Sequence, residues 1–260
     1  MNYDISGVIL DLDGTLLNSK KEVTPRNMEA VMNCYEKGVP IIIATARPPR
    51  SVKQLVPEEL LKLGVIVYYN GALIVNEEQQ IREHFPIEST LLSDLVKCIM
   101  ELENDPHLSI EVEDRWYSNK NLDYQVTMKV TENPEIIDFD QIQLLHASKV
   151  LITNFKSAQA LFNQFNEQLN IISTDQGELI QIMSKKASKE YAVQRVCRHL
   201  NIPIQNVMAF GDDFNDLGLF EISGYPIAMG NAIDELKALA KEVTATNDND
   251  GVALVLEKLL

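Results

Sequence analysis

The sequence has two carboxylates two positions apart in the segment DLDGT, residues 11–15, directly after an apolar run that ends at Leu10. Side chains alternate along an extended chain, so Asp11 and Asp13 point to the same side and can meet. Ligands of open α/β sheets bind at the carboxyl ends of strands, where this pair would stand. A strand followed by an ordinary Asp-Gly turn fits part of the pattern, but the whole pattern is much rarer and favours a functional site.

A second polar segment, Thr45-Ala46-Arg47, follows the apolar run at residues 41–44. A hydroxyl and exposed N–H groups at a strand end can hold phosphate oxygens as charge develops on them. Taken alone, this segment is equally typical of a simple strand-to-helix turn.

A third segment, GDDFND at residues 211–216, follows the apolar run at residues 207–210. Its carboxylates suit Mg²⁺, which takes an oxygen shell, keeps several waters and needs few protein ligands. Acidic residues are also favoured at the start of a helix, which accounts for Asp213 and in part for Asp216. The complete Gly-Asp-x-x-Asn-Asp pattern fits that alternative less well.

A fourth segment, at residues 183–189, is basic and leads into a helix that begins near Ser188. The helix macrodipole favours anions at this end of the helix, so a lysine at this position is well placed to bind a phosphate group. The residues alone leave Lys185, Lys186 and Lys189 as alternatives.

The elements around these segments alternate between strands and helices. Thr24 and Pro25 mark the start of a helix, as an N-cap and a first-turn residue. Nearly continuous apolar runs at residues 39–44 and 65–69 are typical of strands covered on both faces. The last part of the chain repeats this alternation of strands and helices, and the pattern predicts a Rossmann-like α/β core with a parallel sheet.

The middle of the chain has a different pattern. Residues 110–117 and 124–130 alternate between apolar and polar, as half-exposed antiparallel strands do. Residues 149–153 form another strand, and a later segment predicts a hairpin that turns at residues 176–177. We therefore expect an inserted α+β cap domain at residues 83–183, with the core formed by residues 1–82 and 184–260.

The composition indicates a soluble globular protein, since 45% of the 260 residues are hydrophobic and 23% are charged. The formal net charge of −15 disfavours nucleic acid and anionic membranes as partners, but it admits a small anionic substrate beside a bound cation. The three cysteines lie far apart, so neither a disulfide framework nor a zinc site is expected. We find no signal peptide and no apolar stretch of about 20 residues, and we expect a cytoplasmic location.

Taken in chain order, at residues 11–15, 45–47, 183–189 and 211–216, the four segments resemble the motifs of the haloacid dehalogenase-like phosphohydrolases, in particular the Cof-type subfamily with a large α+β cap. The resemblance covers essentially the whole chain. It implies that Asp11 is a nucleophile that forms an aspartyl-phosphate, and that Asp13 protonates the leaving oxygen and then activates water. Dehalogenases lack the second acid and ion-pumping ATPases carry Lys-Thr instead, so Asp13 indicates a phosphatase or a phosphomutase.

The resemblance also implies a metal cofactor. The expected ligands of a Mg²⁺ ion are Asp11, the backbone carbonyl of Asp13 and the carboxylate of Asp212. Asp216 is expected to orient this set of ligands from outside it.

Phosphate ligands follow from the same resemblance. Residues 183–189 resemble the motif Met-Pro-x-Gly-Val-Ser-Lys, which selects Lys189 among the three lysines. Thr45 and Asn215 are the other expected phosphate ligands. The family's usual Thr-Gly-Arg is Thr-Ala-Arg here, so a positive φ at Ala46 would strain the backbone. Two further residues are expected to support the site or lie near the substrate, namely Arg47 and Asn70.

The expected function is Mg²⁺-dependent hydrolysis of a small phosphorylated metabolite, such as a sugar phosphate or a phosphorylated cofactor, in a cleft between core and cap. Specificity would then depend on the cap. Two alternatives stay open at this point. A sugar phosphomutase would carry the same motifs, and a non-catalytic regulatory protein could retain the fold. The sequence determines neither the substrate nor the oligomeric state.

Overall fold

The computed structural model describes residues 4–127, 132–174 and 178–259. The chain divides into two compact units. The first unit is formed by the chain up to Glu83 and from Ser188 onward, and the second unit is His84–Ala187. The boundaries expected from the sequence fall after residues 82 and 183.

The elements are named in chain order. The strands are β1 (Gly7–Leu10), β2 (Ile41–Ala44), β3 (Val65–Tyr68), β4 (Leu73–Asn76), β5 (Ile81–His84), β6 (His107–Val112), β7 (Arg115–Ser118), β8 (Glu135–Ile136), β9 (Lys149–Thr153), β10 (Leu169–Thr174), β11 (Leu179–Ser184), β12 (Val207–Gly211), β13 (Tyr225–Ala228) and β14 (Glu242–Val243). The helices are α1 (Pro25–Glu36), α2 (Pro49–Leu55), α3 (Glu58–Leu63), α4 (Ser89–Leu102), α5 (Tyr124–Thr127), α6 (Phe139–Ile142), α7 (Ala158–Phe165), α8 (Lys189–His199), α9 (Leu217–Ile222), α10 (Asp234–Leu239) and α11 (Gly251–Leu256).

The first unit is built on an eight-stranded sheet with the order β14-β13-β12-β1-β2-β3-β4-β5. Strands β14 through β3 in this order pair in parallel, and β4 runs antiparallel to β3. Strands β1, β2, β3 and β12 are buried along their whole length, which explains their nearly continuous apolar runs. The predicted fold class, a parallel-sheet core with an inserted α+β domain, is confirmed.

Local sequence signals set the start of the first helix. The side chain of Thr24 accepts a hydrogen bond from the N–H of Asn27, and Pro25 occupies the first helical position, as predicted. The helix ends at Glu36, and Gly38 then adopts a φ of 82°, a conformation that favours glycine.

The second unit contains a six-stranded sheet with the order β10-β11-β9-β6-β7-β8. Its strands pair antiparallel except β7 with β8. Helices α4 and α7 pack on one face, and their apolar side chains join those of the strands in one buried cluster that includes Leu95, Ile99, Leu161 and Ile152.

Two sequence predictions in this unit need correction. Residues 110–117 form two strands, β6 and β7, because Glu113 takes a φ of 55° and reverses the chain without the Gly or Asn that usually marks such a turn. The predicted strand 124–130 is helical over Tyr124–Thr127, where the Tyr124 side chain is fully buried and bonds to Ser118. The rest of that segment and the predicted turn at 176–177 lie outside the described residues.

The three cysteines, Cys34, Cys98 and Cys197, are unpaired and buried. In the described part of the chain, no helix is both long enough and apolar enough to cross a membrane.

Candidate active site

Three of the predicted site residues lie at the carboxyl ends of adjacent parallel strands. Asp11 follows β1, Thr45 follows β2 and Asp212 follows β12, and β1 pairs with both of the other strands. Parallel pairing thus brings segments that are far apart in sequence to one edge of the sheet. Ligands of open α/β sheets bind at this edge.

Lys189 is the first residue of α8, and its side chain is fully buried. Its Nζ donates hydrogen bonds to Oδ1 of Asp11 at 2.5 Å and to Oδ1 of Asp216 at 2.7 Å. Burial disfavours the charged ammonium, but the two carboxylates outweigh this effect and raise the pKa of Lys189. Lys185 and Lys186 are exposed, so Lys189 is the lysine of this segment that meets Asp11.

The start of α8 is held close to the turn that follows β3. A Cβ on Gly71 would lie 2.3 Å from the carbonyl oxygen of Ser188, so only glycine allows this approach. Gly71 also has a φ of 106°. The Ser188 hydroxyl caps the helix by accepting the N–H of Tyr191 at 3.3 Å. These contacts place Lys189 in the first turn.

Asp216 uses both carboxylate oxygens. One accepts from Lys189, and the other, Oδ2, accepts the N–H of Asp212 at 3.0 Å and of Asp213 at 3.3 Å. A Cβ on Gly211 would lie 2.6 Å from the Asp216 Cγ, which explains glycine at this position. Asp216 therefore orients both the lysine and the loop that carries Asp212.

The carboxylates of Asp11, Asp212 and Asp216 form a candidate metal centre, since one oxygen from each lies within 4.8 Å of the others. Burial and then Asp216 raise the pKa of Asp212 to about 6. Burial also raises the pKa of Asp11 well above its ordinary value, with Lys189 opposing and Asp216 adding to the rise. Three carboxylates facing one ammonium leave an excess of negative charge. A divalent cation would remove it, so these hard oxygen donors fit such an ion.

Residues of the DLDGT loop and of a later turn fix the position of the Asp212 side chain. Thr15 donates from Oγ1 to its Oδ1 at 3.1 Å. Asn231 donates from Nδ2 to the carbonyl oxygen of Gly14 at 2.8 Å and lies 3.5 Å from Oδ2 of Asp212. A Cβ on Gly14, whose φ is 80°, would lie 2.1 Å from that Oδ2. The turn after Asp13 therefore needs glycine for both its backbone conformation and its contact with Asp212.

Asp13 does not share the surroundings of Asp11. Arg47 forms a two-bond ion pair with it, with Nε to Oδ2 at 2.5 Å and Nη2 to Oδ1 at 2.7 Å. Lys21 Nζ also lies 2.7 Å from Oδ1. Burial raises the pKa of Asp13, but the hydrogen bonds from Arg47 and Lys21 outweigh it and lower the pKa overall. The carboxylate is thus held ionised, and it keeps partial contact with solvent.

The remaining predicted residues meet across the loops after β2 and β3. The N–H of Asn70 donates to the carbonyl of Thr45 at 2.9 Å, and the N–H of Tyr69 donates to that of Arg47 at 3.2 Å. The buried Thr45 hydroxyl accepts the N–H of Arg47 at 3.1 Å. Asn215 donates from Nδ2 to Oδ1 of Asn70 at 3.1 Å. Thr45, Asn70 and Asn215 therefore belong to one connected set of polar groups.

Ala46 does not strain this loop. It is not among the described non-glycine residues that have a positive φ. Alanine therefore replaces the family's usual glycine without a backbone penalty of this kind.

Three side chains that hold the site were not predicted as site residues. Thr15 is part of the DLDGT segment, which gave it a sequence signal, whereas Asn231 lies outside the four segments. Lys21 had none, because its contact with Asp13 depends on a loop in which Lys21 takes a φ of 63°.

Comparisons with known proteins cover nearly the whole chain. Residues 8–256 match the model of a family described as haloacid dehalogenase-like hydrolase. The chain is 28% identical to phosphatase YwpJ of Bacillus subtilis, over 97% of this chain and 99% of that protein. It is 27% identical to 5-amino-6-(5-phospho-D-ribitylamino)uracil phosphatase YitU of Bacillus subtilis, over 96% of each. A crystal structure of a haloacid dehalogenase-like hydrolase from Bacteroides thetaiotaomicron superposes with a TM-score of 0.85 at 26% identity, covering 98% of this chain and 100% of that one.

Proposed function

This chain belongs to the haloacid dehalogenase-like hydrolases and is an enzyme of that family, and we propose that it hydrolyses small phosphate monoesters with Mg²⁺ through an aspartyl-phosphate on Asp11. The observation that carries this proposal is the buried Lys189, which donates to Asp11 and Asp216 beside Asp212. The carboxylate proposed as the nucleophile, the ammonium proposed to bind phosphate and the proposed metal ligands therefore lie close together, which supports the proposal.

In the first step an oxygen of Asp11 attacks phosphorus, and the bond between phosphorus and the leaving oxygen breaks. Asp13 supplies the proton that this oxygen needs. In the second step water attacks the same phosphorus while Asp13 takes a proton from it. The bond between phosphorus and the Asp11 oxygen then breaks, which releases inorganic phosphate and restores Asp11.

The contacts of Asp13 indicate how its proton transfer is controlled. A carboxylate held by Arg47 and Lys21 is a poor proton donor, because both cations favour its ionised form. We infer that the anionic substrate draws these two cations toward its own oxygens. The pKa of Asp13 would then rise toward the range that a general acid needs.

Asp11, Asp212 and the backbone carbonyl of Asp13 would hold the Mg²⁺. When bound, the ion would act as a Lewis acid and neutralise charge on the phosphoryl oxygens. Lys189, Thr45 and Asn215 would hold those oxygens in line with Asp11. The proposal is supported by the hydrogen bonds that connect two of these residues, since Asn215 bonds to Asn70, and Asn70 bonds to Thr45.

The test is phosphate release from a panel of monoesters with and without Mg²⁺. We expect Mg²⁺-dependent release by the wild type, loss of release in Asp11→Asn, and a fall of about 10²-fold or more in Asp13→Asn. Rapid quenching and mass spectrometry should detect one added phosphoryl group on the wild type and none on Asp11→Asn. Isomerisation of a hexose 1-phosphate without free phosphate would contradict hydrolysis and support a phosphomutase.

The substrate panel follows from the relatives. One of them is named as a phosphatase of 5-amino-6-(5-phospho-D-ribitylamino)uracil, so we propose phosphorylated cofactor precursors and sugar phosphates as the first compounds to test. We also propose that the second unit, His84–Ala187, selects the leaving group. The three unpaired cysteines support a reducing compartment such as the cytoplasm.

A further inference from the structure

The first unit contains a cavity of about 560 Å³ whose lining comes from α1, α2, α3, β3, β4 and the turn after β4. All of the residues that line it precede Glu83, so the first unit forms this cavity alone. Its volume lies within the range of about 300–1,000 Å³ that is typical of small-molecule sites.

The cavity is separate from the candidate active site. A neighbouring cavity of about 380 Å³ shares Tyr35, Leu63 and Asn76 with it and extends to Ile41 and Val65, the first residues of β2 and β3. The two cavities therefore reach the amino ends of these parallel strands, whereas the candidate active site lies at the carboxyl ends. None of the residues proposed for catalysis, phosphate binding or metal binding lines either cavity.

Apolar side chains of the sheet and of α3 form much of the lining. Ile66 and Tyr68 are two positions apart on β3, so they point to the same face, and Val75 on β4 pairs in register with Ile66. Leu61 and Leu63 of α3 also line the cavity, and both are only half-buried. An apolar or aromatic group would remove these side chains from water on binding.

The charged residues around the cavity leave an excess of negative charge. They are three glutamates and two lysines, all exposed, namely Glu58, Glu77, Glu78, Lys53 and Lys62. Lys62 pairs with Glu58 at 2.7 Å, so two carboxylates remain against the single ammonium of Lys53. In the part of the chain that the structure describes, neither Glu77 nor Glu78 has an ion pair. Together with the formal net charge of −15, this arrangement favours a cationic ligand over an anionic one.

Hydrogen bonds hold the turn that carries the two unpaired glutamates. The buried Asn76 donates from Nδ2 to the carbonyl oxygen of Gly64 at 3.0 Å and accepts the N–H of Gln79 at Oδ1 at 2.6 Å. The N–H of Gln80 donates to the carbonyl oxygen of Glu77 at 3.3 Å. Because the backbone of this turn is already ordered, a ligand that contacts it loses little affinity to ordering of the chain.

We propose that this cavity is a second ligand site of the protein and that it binds an organic cation with an apolar or aromatic body. The apolar lining receives the body, and the carboxylates of Glu77 and Glu78 receive the ammonium group. Tyr35 and Tyr68 contribute aromatic rings to the lining, and such rings attract ammonium groups. The inference goes beyond the proposed function and does not depend on it, because it uses no active-site residue.

The binding test compares three compounds that share an indole ring and a two-carbon chain. At neutral pH tryptamine ends in an ammonium group, tryptophol in a hydroxyl group and indole-3-propionate in a carboxylate. Isothermal titration calorimetry of the wild type is done with excess Mg²⁺, which occupies the carboxylates of the candidate metal centre. We expect tryptamine to bind about tenfold or more tightly than indole-3-propionate, with tryptophol between them.

Charge variants test the role of the two glutamates. The double variant Glu77→Gln and Glu78→Gln should lower the affinity for tryptamine about threefold or more, the size expected for two exposed ion pairs, and should change that for tryptophol less than about twofold. The control double variant is Glu29→Gln and Glu59→Gln, which changes the net charge equally at exposed positions outside the cavity. It should bind tryptamine as the wild type does. An equal loss in both double variants would overturn the assignment of Glu77 and Glu78.

Variants that fill the cavity test the location of the site. Leu61→Trp should lower the affinity for both tryptamine and tryptophol about tenfold or more, because the larger side chain occupies the space of the ligand. Val75→Phe is a second variant of this kind, and circular dichroism and thermal unfolding check that each protein is folded. Unchanged affinity in the folded variants would place the ligand elsewhere and overturn the proposal.

Two results with the wild type would also overturn it, namely no measurable binding of tryptamine, or equal affinities for tryptamine and indole-3-propionate. Absence of phosphate release would contradict the proposed function alone, since this binding does not require turnover.

Discussion

Lys189 and Asp11 are 178 positions apart in the sequence, yet their side chains form a buried ion pair with Nζ 2.5 Å from Oδ1. The pair joins the first turn of α8 to the end of β1. In the proposed mechanism, this pair places the ammonium beside the carboxylate that attacks phosphorus and close to the phosphate oxygens that the ammonium would bind. The charge of Lys189 thus balances part of the carboxylate cluster before substrate binds.

Replacing Lys189 with Met should leave Asp11 and Asp216 buried without their cation. Removing one partner from a buried ion pair costs about 3–5 kcal/mol, so we expect a loss of that order in the free energy of unfolding without Mg²⁺. Phosphate release should fall about 10²-fold or more, since an electrostatic ligand of the phosphoryl group is lost. Lys186→Met removes an exposed lysine of the same segment and should change stability by less than about 0.5 kcal/mol. Similar effects of the two variants, measured by urea unfolding, would contradict the role of Lys189.

Mg²⁺ should stabilise the folded protein because it relieves repulsion among Asp11, Asp212 and Asp216. At about a hundredfold excess over Kd, binding to the native state alone adds about 2.7 kcal/mol. Differential scanning calorimetry should therefore show a higher Tm with Mg²⁺ and a lower Tm with a chelator. Asp212→Asn should abolish this difference, while Asp213→Asn, at an exposed position, should preserve it. A Tm of the Asp212→Asn protein that still responds to Mg²⁺ would place the ion elsewhere.

Substitutions at two glycines with the same backbone conformation can distinguish the effect of backbone strain from the effect of a steric contact with Asp212. Gly14 has a φ of 80° and a Cβ there would meet Asp212 Oδ2 at 2.1 Å, whereas Gly38 has a φ of 82° and nothing within 4 Å of such a Cβ. Gly38→Ala should therefore show strain alone, about 1 kcal/mol of lost stability, with normal turnover. Gly14→Ala should also displace Asp212 and weaken Mg²⁺ binding and turnover about tenfold or more. Comparable Mg²⁺ affinity of the two variants, by calorimetric titration, would argue against this contact.

Lys149 should make the stability of the protein depend on pH at the alkaline end. Burial lowers its pKa from 10.5 to about 8, so between these values the unfolded chain binds more protons than the folded protein. The free energy of unfolding of the wild type should therefore rise with pH through this window, by up to about 3 kcal/mol relative to Lys149→Met. Urea unfolding of both proteins at several pH values from 7 to about 10.5 measures the difference. Parallel curves would show that the Lys149 pKa is not lowered by folding.

The core fold and much of the site could be predicted because their signals are local. The apolar runs of β1, β2 and β12, and the polar residues that follow each of them, are adjacent in the chain. Parallel sheets place the carboxyl ends of neighbouring strands together, so the grouping of Asp11, Thr45 and Asp212 follows from this pattern. The choice of Lys189 among three lysines needed the resemblance to a family.

Other features depend on contacts between distant segments and had no local signal. Glu113 adopts a left-handed turn that glycine would normally mark, and the segment at Tyr124 is helical although its alternation favours a strand. In both places local propensity is a weak preference, and burial or pairing with other segments overrides it. At the second of these places, the Tyr124 side chain is fully buried.

The sequence by itself determined the class of fold, the four polar segments and the chemistry that their carboxylates and lysine permit, because composition and spacing are properties of the chain. Only the tertiary structure decided which of these groups meet. It paired Asp13 with Arg47 and Lys21, and Asp11 with Lys189. It also set the strand register that aligns Lys149 with Glu111, since register depends on the packing of whole strands.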